Sequence, residues 1–502
     1  MGVLSENAII GASNASGYDI DYSCRYNVGD SPILKRDVTI AGNRRTSTWS
    51  AWVKIGWNTF SRDDGTVVPY YVLFCCGNSD GRWNVGFSNA TAINNNLPQL
   101  MIGAVDSGGS MAFKVSSNQA FRDPSAWYHI MVVMDTTQAT NTNRVKAYVN
   151  GERITDWGVT SWPSQNYDSD CFRTADPTVR VRIGNTTNNS NTGANFWNGY
   201  ISEVHVVDGQ ALLPSSFGET DEDTNQWKAK KYGGTYGTNG FYLDFSNSAA
   251  LGTDTSGNGN NLTVSGLTAH DQMIDTPTNN YCVLNVLFRS TGEEGNAPAN
   301  NRNVTEGNLK YAPTSDDRFH ASFGTQSGKW YYEVYIDSIA GSNNWFGIAE
   351  ATRDVANRTQ YATNSSSGQI FSPGESTQSS VGTLSGGDIL GVAYDKDGLT
   401  AKFYKNNVQL GTTIAIPAGI THVPYVGNGN SSGGKTFVFN FGQDSSFAGN
   451  KTAQGNGGDG EDFYYTPPAG YQALNSNNLP DPAIALPGEN FNTVLYTGDG
   501  AV

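Results

Sequence analysis

The 502-residue chain is poor in charge, histidine and cysteine, and each shortage excludes a class of function. Charged residues make up 15% against an average of about 25%, so disorder driven by self-repulsion is not expected. The balance of 31 basic and 46 acidic residues leaves a net charge of −15. A surface of that sign repels a phosphate backbone, and nucleic acid is not an expected partner. Five histidines, His129, His205, His270, His320 and His422, form no His-x-Glu or Glu-x-x-His zinc pattern. Five cysteines, Cys24, Cys75, Cys76, Cys171 and Cys282, are an odd set without Cys-x-x-Cys spacing. Neither a disulfide framework nor a zinc site is indicated, and free thiols from a reducing cytosol are expected. Met1 to Glu6 has no basic n-region, and Ala8-Ile9-Ile10 is too short for a signal h-region or a membrane span. Glu6 stands where a myristoylation motif needs Ser or Thr. Synthesis in the cytoplasm without a signal peptide is the expectation.

Helical periodicity is almost absent as well. What the chain does have is aromatics, at 12%, and 58 glycines beside only 18 prolines, too little for a collagen-like or low-complexity chain. Short alternating runs bounded by Gly, Asn, Asp and Ser recur: Trp49 to Ile55, Trp127 to Met134, Val145 to Val149, then Lys329 to Ile336, Trp345 to Ala349, Ile389 to Tyr394, Ala401 to Tyr404 and Thr436 to Phe441. Alternation with period two is the pattern of strands with one buried face. Asn150-Gly151 follows one of these runs and tolerates the positive φ angles of a type I′ hairpin turn. Val145 to Ile154 and Ala401 to Leu410 share this strand, Asn-centred turn, strand design. The chain is therefore expected to be all-β, two antiparallel β-sandwiches of jelly-roll type joined by loop-rich linkers.

The expected divisions are a first sandwich over 1–219, a linker over 220–300, a second sandwich over 301–447 and a Gly/Pro-rich extension over 448–502. The acidic patch Glu219 to Thr224, followed by Lys228, Lys230 and Lys231, is the expected place for a short helix, and Phe241 to Phe245 for an extra strand. The extension is expected to pack along the surface or against a neighbour.

Through Trp49-Ser50-Ala51-Trp52-Val53, Trp127-Tyr128-His129-Ile130, the Tyr148 to Ile154 hairpin, Ile183-Gly184-Asn185 and Phe196 to Val204, residues 1 to 215 resemble a laminin G-like, concanavalin A-like jelly roll. The second body resembles a SPRY domain through Gly328 to Glu333, Trp345 to Ala349, Asp388 to Asp395, Phe403 to Asn406 and Phe439 to Gly442. With the connector Asp271 to Asn280 and the ending Phe491 to Gly498, the whole order is similar to structural proteins of tailed bacteriophages. That resemblance implies a virion appendage, a tail or head fibre at the virion surface. Its implied partners are other virion proteins and a host surface glycan, and its implied state a homo-oligomer such as a trimer.

Catalysis is not expected. A jelly-roll glycosidase needs two carboxylates across one face, and no Glu-x-Asp-x-x-Glu run or close variant occurs. The dense carboxylates Asp221-Glu222-Asp223 and Asp459 to Asp462 sit among loop residues and read as solvated charge. His129 and His205 lie in apolar strand contexts and read as packed. No Gly-x-Ser-x-Gly elbow occurs. A sugar site needs an aromatic ring beside amide or carboxylate groups in a loop. Trp83 and Asn84, and Trp157, Trp162 and Tyr167, meet that description, while the alternative for each ring is closure of a sandwich core. Trp49, Trp52, Trp127 and Trp330 alternate within strands and read as core. Asp254, Ser256, Asn258 and Asn260 alternate like the first ligands of a calcium loop, but Ser265 stands where the bidentate Glu belongs, so a calcium ion and a plain turn are both open readings. The functional expectation is a host-glycan-binding appendage, with a capsid decoration or cement protein and a polysaccharide depolymerase as alternatives.

Overall fold

The computed structural model describes residues 18–56, 70–78, 80–88, 98–106, 110–173, 178–186, 194–222, 224–290, 304–313, 317–341, 343–351, 360–372, 375–429 and 434–480. The Phe491 to Gly498 ending, Asp223 and most of the Glu293 to Asn308 loop lie outside them. Four antiparallel sheets carry the fold, and among the described residues no helix is long and apolar enough to cross a membrane.

The first body is a sandwich of two eight-stranded sheets. One, here called the seam sheet, runs Glu152–Arg153, Val145–Val149, Trp127–Asp135, Thr46–Ile55, Gly199–Asp208, Ser23–Tyr26, Gln272–Met273, with Phe241–Leu243 also paired to Gly199–Asp208. The other, the distal sheet, runs Trp157–Ser161, Met111–Ala120, Gln99–Val105, Arg82–Ser88, Tyr70–Gly77, Arg180–Ile183, Ile33–Asp37, Thr263–Ser265. Their facing sides meet in one core that includes Trp49, Ala51, Val53, Ile55, Phe74, Trp83 and Trp197. Asn150 (φ 48) and Gly151 (φ 81) make the predicted tight hairpin. A Cβ on Gly151 would lie 2.5 Å from the Trp227 ring, so this glycine serves both the turn and the packing.

The second body is a sandwich of two seven-stranded sheets. In its central strand Lys329–Ser338, Trp330, Tyr332, Val334 and Ile336 enter the core. Tyr331, Glu333 and Tyr335 face the other way and are covered by residues 444–479, which run as a strap over the outside of that sheet. The extension packs on its own chain over the described part.

Three expectations change. The acidic and lysine patch forms no helix: Gly218–Thr220 and Trp227–Ala229 pair as a two-stranded hairpin. Asp221 accepts from Thr224 N and Oγ1 inside the turn and pairs with Lys228 across it, while Lys230 meets Glu219 at 3.2 Å. These charge pairs follow strand register rather than helical spacing. Second, the region from 220 to about 273 contributes strands to both sheets of the first body: Phe241–Leu243 pairs with Val204 to Val206, Thr263–Ser265 with Ile33 to Lys35, and Gln272–Met273 with Ser23 and Cys24. Third, the cysteines are not all free. Cys76 and Cys171 form a disulfide that ties the end of strand Tyr70–Gly77 to a loop 95 residues on, while Cys24, Cys75 and Cys282 are buried thiols. Odd counting across a sequence cannot see that two of the five cysteines converge.

The two bodies share a buried seam. Trp52, Trp127, Tyr200 and Met273 project from the back of the seam sheet into the same apolar cluster as Cys282, Leu284, Leu309 and Tyr332. Trp52 and Trp127 are thus buried between bodies, whereas Trp49 fills the sandwich. Arg25, almost fully buried, crosses the seam: Nη1 donates to Asp444 Oδ2 at 2.9 Å, Nη2 donates to the His270 carbonyl at 3.1 Å, and Nε lies 3.4 Å from Glu306 Oε2. Burial pushes the Glu306 and Asp271 carboxyls up, while Arg25 pulls them down. Losing one partner of such a buried group leaves a charge unpaired, at a cost of about 3–5 kcal/mol.

Candidate functional site

The expected sugar-site residues separate into three environments. Trp83 is a core residue, about 1% exposed, with its ring edge-on to Phe74 at 5.2 Å. It offers no ring to a ligand, because in strand Arg82–Ser88 the odd-numbered side chains Trp83, Val85 and Phe87 point into the sandwich. Asn84 alternates to the opposite face and is itself buried; its Oδ1 accepts from Thr186 Oγ1 at 3.1 Å, and Thr186 Oγ1 also lies 3.4 Å from Cys75 Sγ. Trp83 and Asn84 therefore share no site.

Trp157 and Trp162 do come together, at one edge of the distal sheet, while Tyr167 packs on Phe113 of the neighbouring strand. Strand Trp157–Ser161 pairs only with Met111–Ala120 among the described residues, which makes it an edge strand. A bulge at Gly158 shifts its register, and a side chain there would strike Asn118 Oδ1 at 2.5 Å. The bulge re-aims Trp157 against Trp162, with ring centroids 5.6 Å apart and planes at 81°. Tyr167 sits edge-on to Phe113 at 5.9 Å. All three rings rest one side on the core and are half-exposed. Burial, with Asp170 and Asp106 nearby, pushes the Tyr167 hydroxyl up to about 12, so it remains a protonated donor. Exposed Thr160 and Ser161 and the Asn118 to Asp156 hydrogen bond, 2.7 Å, surround the rings with hydroxyl, amide and carboxylate groups. Apolar ring faces among hydrogen-bonding groups suit a hydroxyl-rich ligand with C–H faces.

The loop at 254–260 is closed by its own hydrogen bonds. Asp254 Oδ1 accepts from Tyr242 N and Ser256 N, and Oδ2 from Asn260 N. Asn258 and Asn260 turn their amide nitrogens, not their oxygens, onto the Gly237, Thr238 and Gly240 carbonyls. These contacts tie the alternating residues into a turn held by its own hydrogen bonds. Among the described residues no group of three His, Cys, Asp or Glu side chains is placed to hold a metal.

The histidines in strands are packed, as their context suggests. His129 Nδ1 accepts from Trp227 Nε1 at 3.1 Å, which leaves the ring proton on Nε2, donated to Ser50 Oγ at 2.8 Å. Burial holds its pKa down at about 3. A Ser–His pair with the proton running from imidazole to hydroxyl is the reverse of a nucleophile and its base. His205 Nδ1 meets Tyr236 Oη at 2.9 Å and its ring stacks on Tyr242 at 4.4 Å. Next to it, Glu203 adopts φ 51 at a bulge and accepts from Tyr18 and Tyr242 hydroxyls at 2.6 and 2.5 Å.

A cleft of about 380 Å³ opens at the seam, where His270 and Gln272 of the first body face Asp444, Glu461 and Asp462 of the strap. Its carboxylates are engaged: Asp444 by Arg25, Glu461 by Ala473 N and Gly458 N, Asp462 by Ser445 N and Gly455 N.

Residues 29–215 match the concanavalin A-like lectin/glucanase superfamily, in its laminin G model, and residues 329–444 match the SPRY domain. No curated protein matches the sequence. Among solved structures, the SPRY domain of human HERC1 is similar at 17% identity over 31% of this chain and 96% of that one, with a TM-score of 0.26. A native heptameric SAP-like pentraxin from Limulus polyphemus is similar at 16% identity over 39% and 80%, TM-score 0.27. A Bacteroides ovatus protein described as a candidate carbohydrate-binding protein is similar at 15% identity over 50% and 61%, TM-score 0.32. The order of the two matched segments and the two sandwiches built from them agree: the chain carries a laminin G-like, concanavalin A-like jelly roll followed by a SPRY domain.

Proposed function

We propose that this chain is a non-catalytic appendage protein of a tailed-bacteriophage particle that binds carbohydrate on the host surface through its first body. The observation that carries the reading is the half-buried Trp157 and Trp162 pair, with Tyr167 on nearby Phe113, on the edge of a lectin-type sandwich. The phage assignment rests on the order of the two bodies, connector and ending in the sequence. The test is binding of the purified chain to polysaccharide extracted from the host envelope, with Trp157→Ala and Trp162→Ala compared against wild type. Each substitution is expected to weaken binding roughly ten-fold, the worth of one aromatic face. Unchanged binding by the double variant, with folding intact, overturns the site. Release of reducing ends from the same polysaccharide replaces the reading with a depolymerase, and particles that lose stability but keep adsorption when the gene is deleted replace it with a cement protein.

A further inference from the structure

One lysine of the first body lies in surroundings unlike those of a surface cation. Lys54 interrupts the strand Trp49 to Ile55 on its seam side and is completely buried, as is the carboxylate it meets. Its Nζ is 2.7 Å from Asp275 Oδ2, 2.8 Å from Asn280 Oδ1 and 2.9 Å from the Tyr281 carbonyl. Asp275 and Asn280 belong to the connector that leaves the first body for the second. Tyr200 and Trp127 stand directly across from Lys54 on the two neighbouring strands, with Nζ 5.6 Å from the Tyr200 ring centroid, so the walls are aromatic. Asp275 Oδ1 accepts from Trp127 Nε1 at 3.1 Å and from Tyr281 N at 3.2 Å, and Asn280 Nδ2 donates to the Ser125 carbonyl at 2.9 Å. The amine is thus fixed within hydrogen-bond reach of both a carboxyl group and a primary carboxamide in a buried, aromatic-walled seam.

From this constellation we infer that Lys54 and Asn280 join in an intramolecular amide bond, with Asp275 as proton carrier, so that the two bodies are welded covalently at the seam. Out of water the charge of a carboxylate is penalised, which favours its taking up a proton. Burial does push the Asp275 carboxyl up, against the pull of Lys54. One proton passes from Lys54 Nζ to Asp275 Oδ2, leaving a free amine lone pair and a carboxylic acid. The lone pair attacks Cγ of Asn280 and forms the Nζ–Cγ bond, and the carbonyl electrons move to Oδ1. As the tetrahedral carbon collapses, the Cγ–Nδ2 bond breaks; Nδ2 takes the Asp275 proton and leaves as ammonia, and Nζ returns one proton to Asp275. The three protons first on Nζ and the two on Nδ2 end as one on the new amide, three on ammonia and one on Asp275. Nothing is oxidised and no co-reactant is needed. Fixed placement of amine and carboxamide supplies the advantage that a solution reaction between them lacks.

The test is mass spectrometry of the full-length purified chain, with its disulfide reduced, together with a tryptic map. Wild type is expected to be lighter than its sequence mass by one ammonia, and the peptides containing Lys54 and Asn280 are expected as a single branched species. Asn280→Ala and Asp275→Asn should restore the full mass and two separate peptides, while Asn280→Asp should link with loss of water instead of ammonia. Full-mass wild type with both peptides separate overturns the proposal. A branched peptide that persists in Asp275→Asn overturns the role of Asp275. If either variant fails to fold, the wild-type mass and Lys54→Arg, which keeps the cation but cannot form the bond, still decide.

Discussion

Glu333 makes the stability of this protein depend on pH in a direction opposite to that of most carboxylates. It is fully buried in the strand Lys329–Ser338 and meets no cation: Oε2 accepts from Tyr464 N at 2.8 Å and Asn440 Nδ2 at 3.2 Å, and Oε1 from Tyr465 N at 2.8 Å and Tyr331 Oη at 3.2 Å. Burial pushes its pKa from 4.5 to about 7, although the four donors pull it down. The folded state therefore holds the proton more tightly than the unfolded chain. The contribution of this group to stability is complete below pH 4.5 and is lost as pH rises through about 7. The full difference corresponds to about 3 kcal/mol. Glu333→Gln removes that dependence but turns an amide nitrogen toward two donors, so it should be less stable than wild type in acid by about 1–3 kcal/mol. On going to about pH 8 the gap should close, because only wild type pays for the buried charge. Denaturant unfolding across this range, with hydrogen exchange at the Tyr464 and Tyr465 amides, measures both. Parallel pH profiles for the two proteins refute the reasoning.

Three other outcomes follow from named contacts. Reduction of Cys76–Cys171, or Cys171→Ser, releases a closed loop of about 95 residues and should lower stability by about 2–5 kcal/mol, read as a drop in melting temperature that reductant produces in wild type but not in the variant. Gly151→Ala puts a side chain at φ 81 and 2.5 Å from Trp227, and should cost about 1–3 kcal/mol in denaturant unfolding. Asp254→Ala strands the Tyr242, Ser256 and Asn260 amides and should cost about 1–3 kcal/mol. Since the loop's own donors occupy that carboxylate, the wild-type melt should not move with calcium or chelator, and a rise with calcium refutes the turn.

The candidate sugar-site residues show where reading a strand one face at a time fails. The partial exposure of Trp157, Trp162 and Tyr167 was legible because turn-forming residues surround them, and such rings stay near the surface. Trp83 looked the same from its neighbours Asp80, Gly81 and Arg82, yet it is the first inward position of a strand. Only the strand's phase relative to the core separates these cases, and the turn before it hides the phase. Lys54 carried a signal, a lone cation in an aromatic run, but its partners Asp275 and Asn280 lie more than 200 residues away and no local pattern joins them.

Local chemistry thus determined the all-β class, the Asn150-Gly151 turn, the two sandwiches and the inward alternation of Trp49 and Trp330, because each depends on residues within a few positions of one another. Tertiary structure alone decided the rest. The Cys76–Cys171 bridge, the strap held by Glu333, the burial of Trp52 and Trp127 between bodies and the Lys54, Asp275 and Asn280 cluster all depend on which segments meet across long separations. Strands buried on both faces are the physical reason: when a sheet packs on one side in its own sandwich and on the other against a second body, period two still tells the faces apart but no longer tells which one is outside.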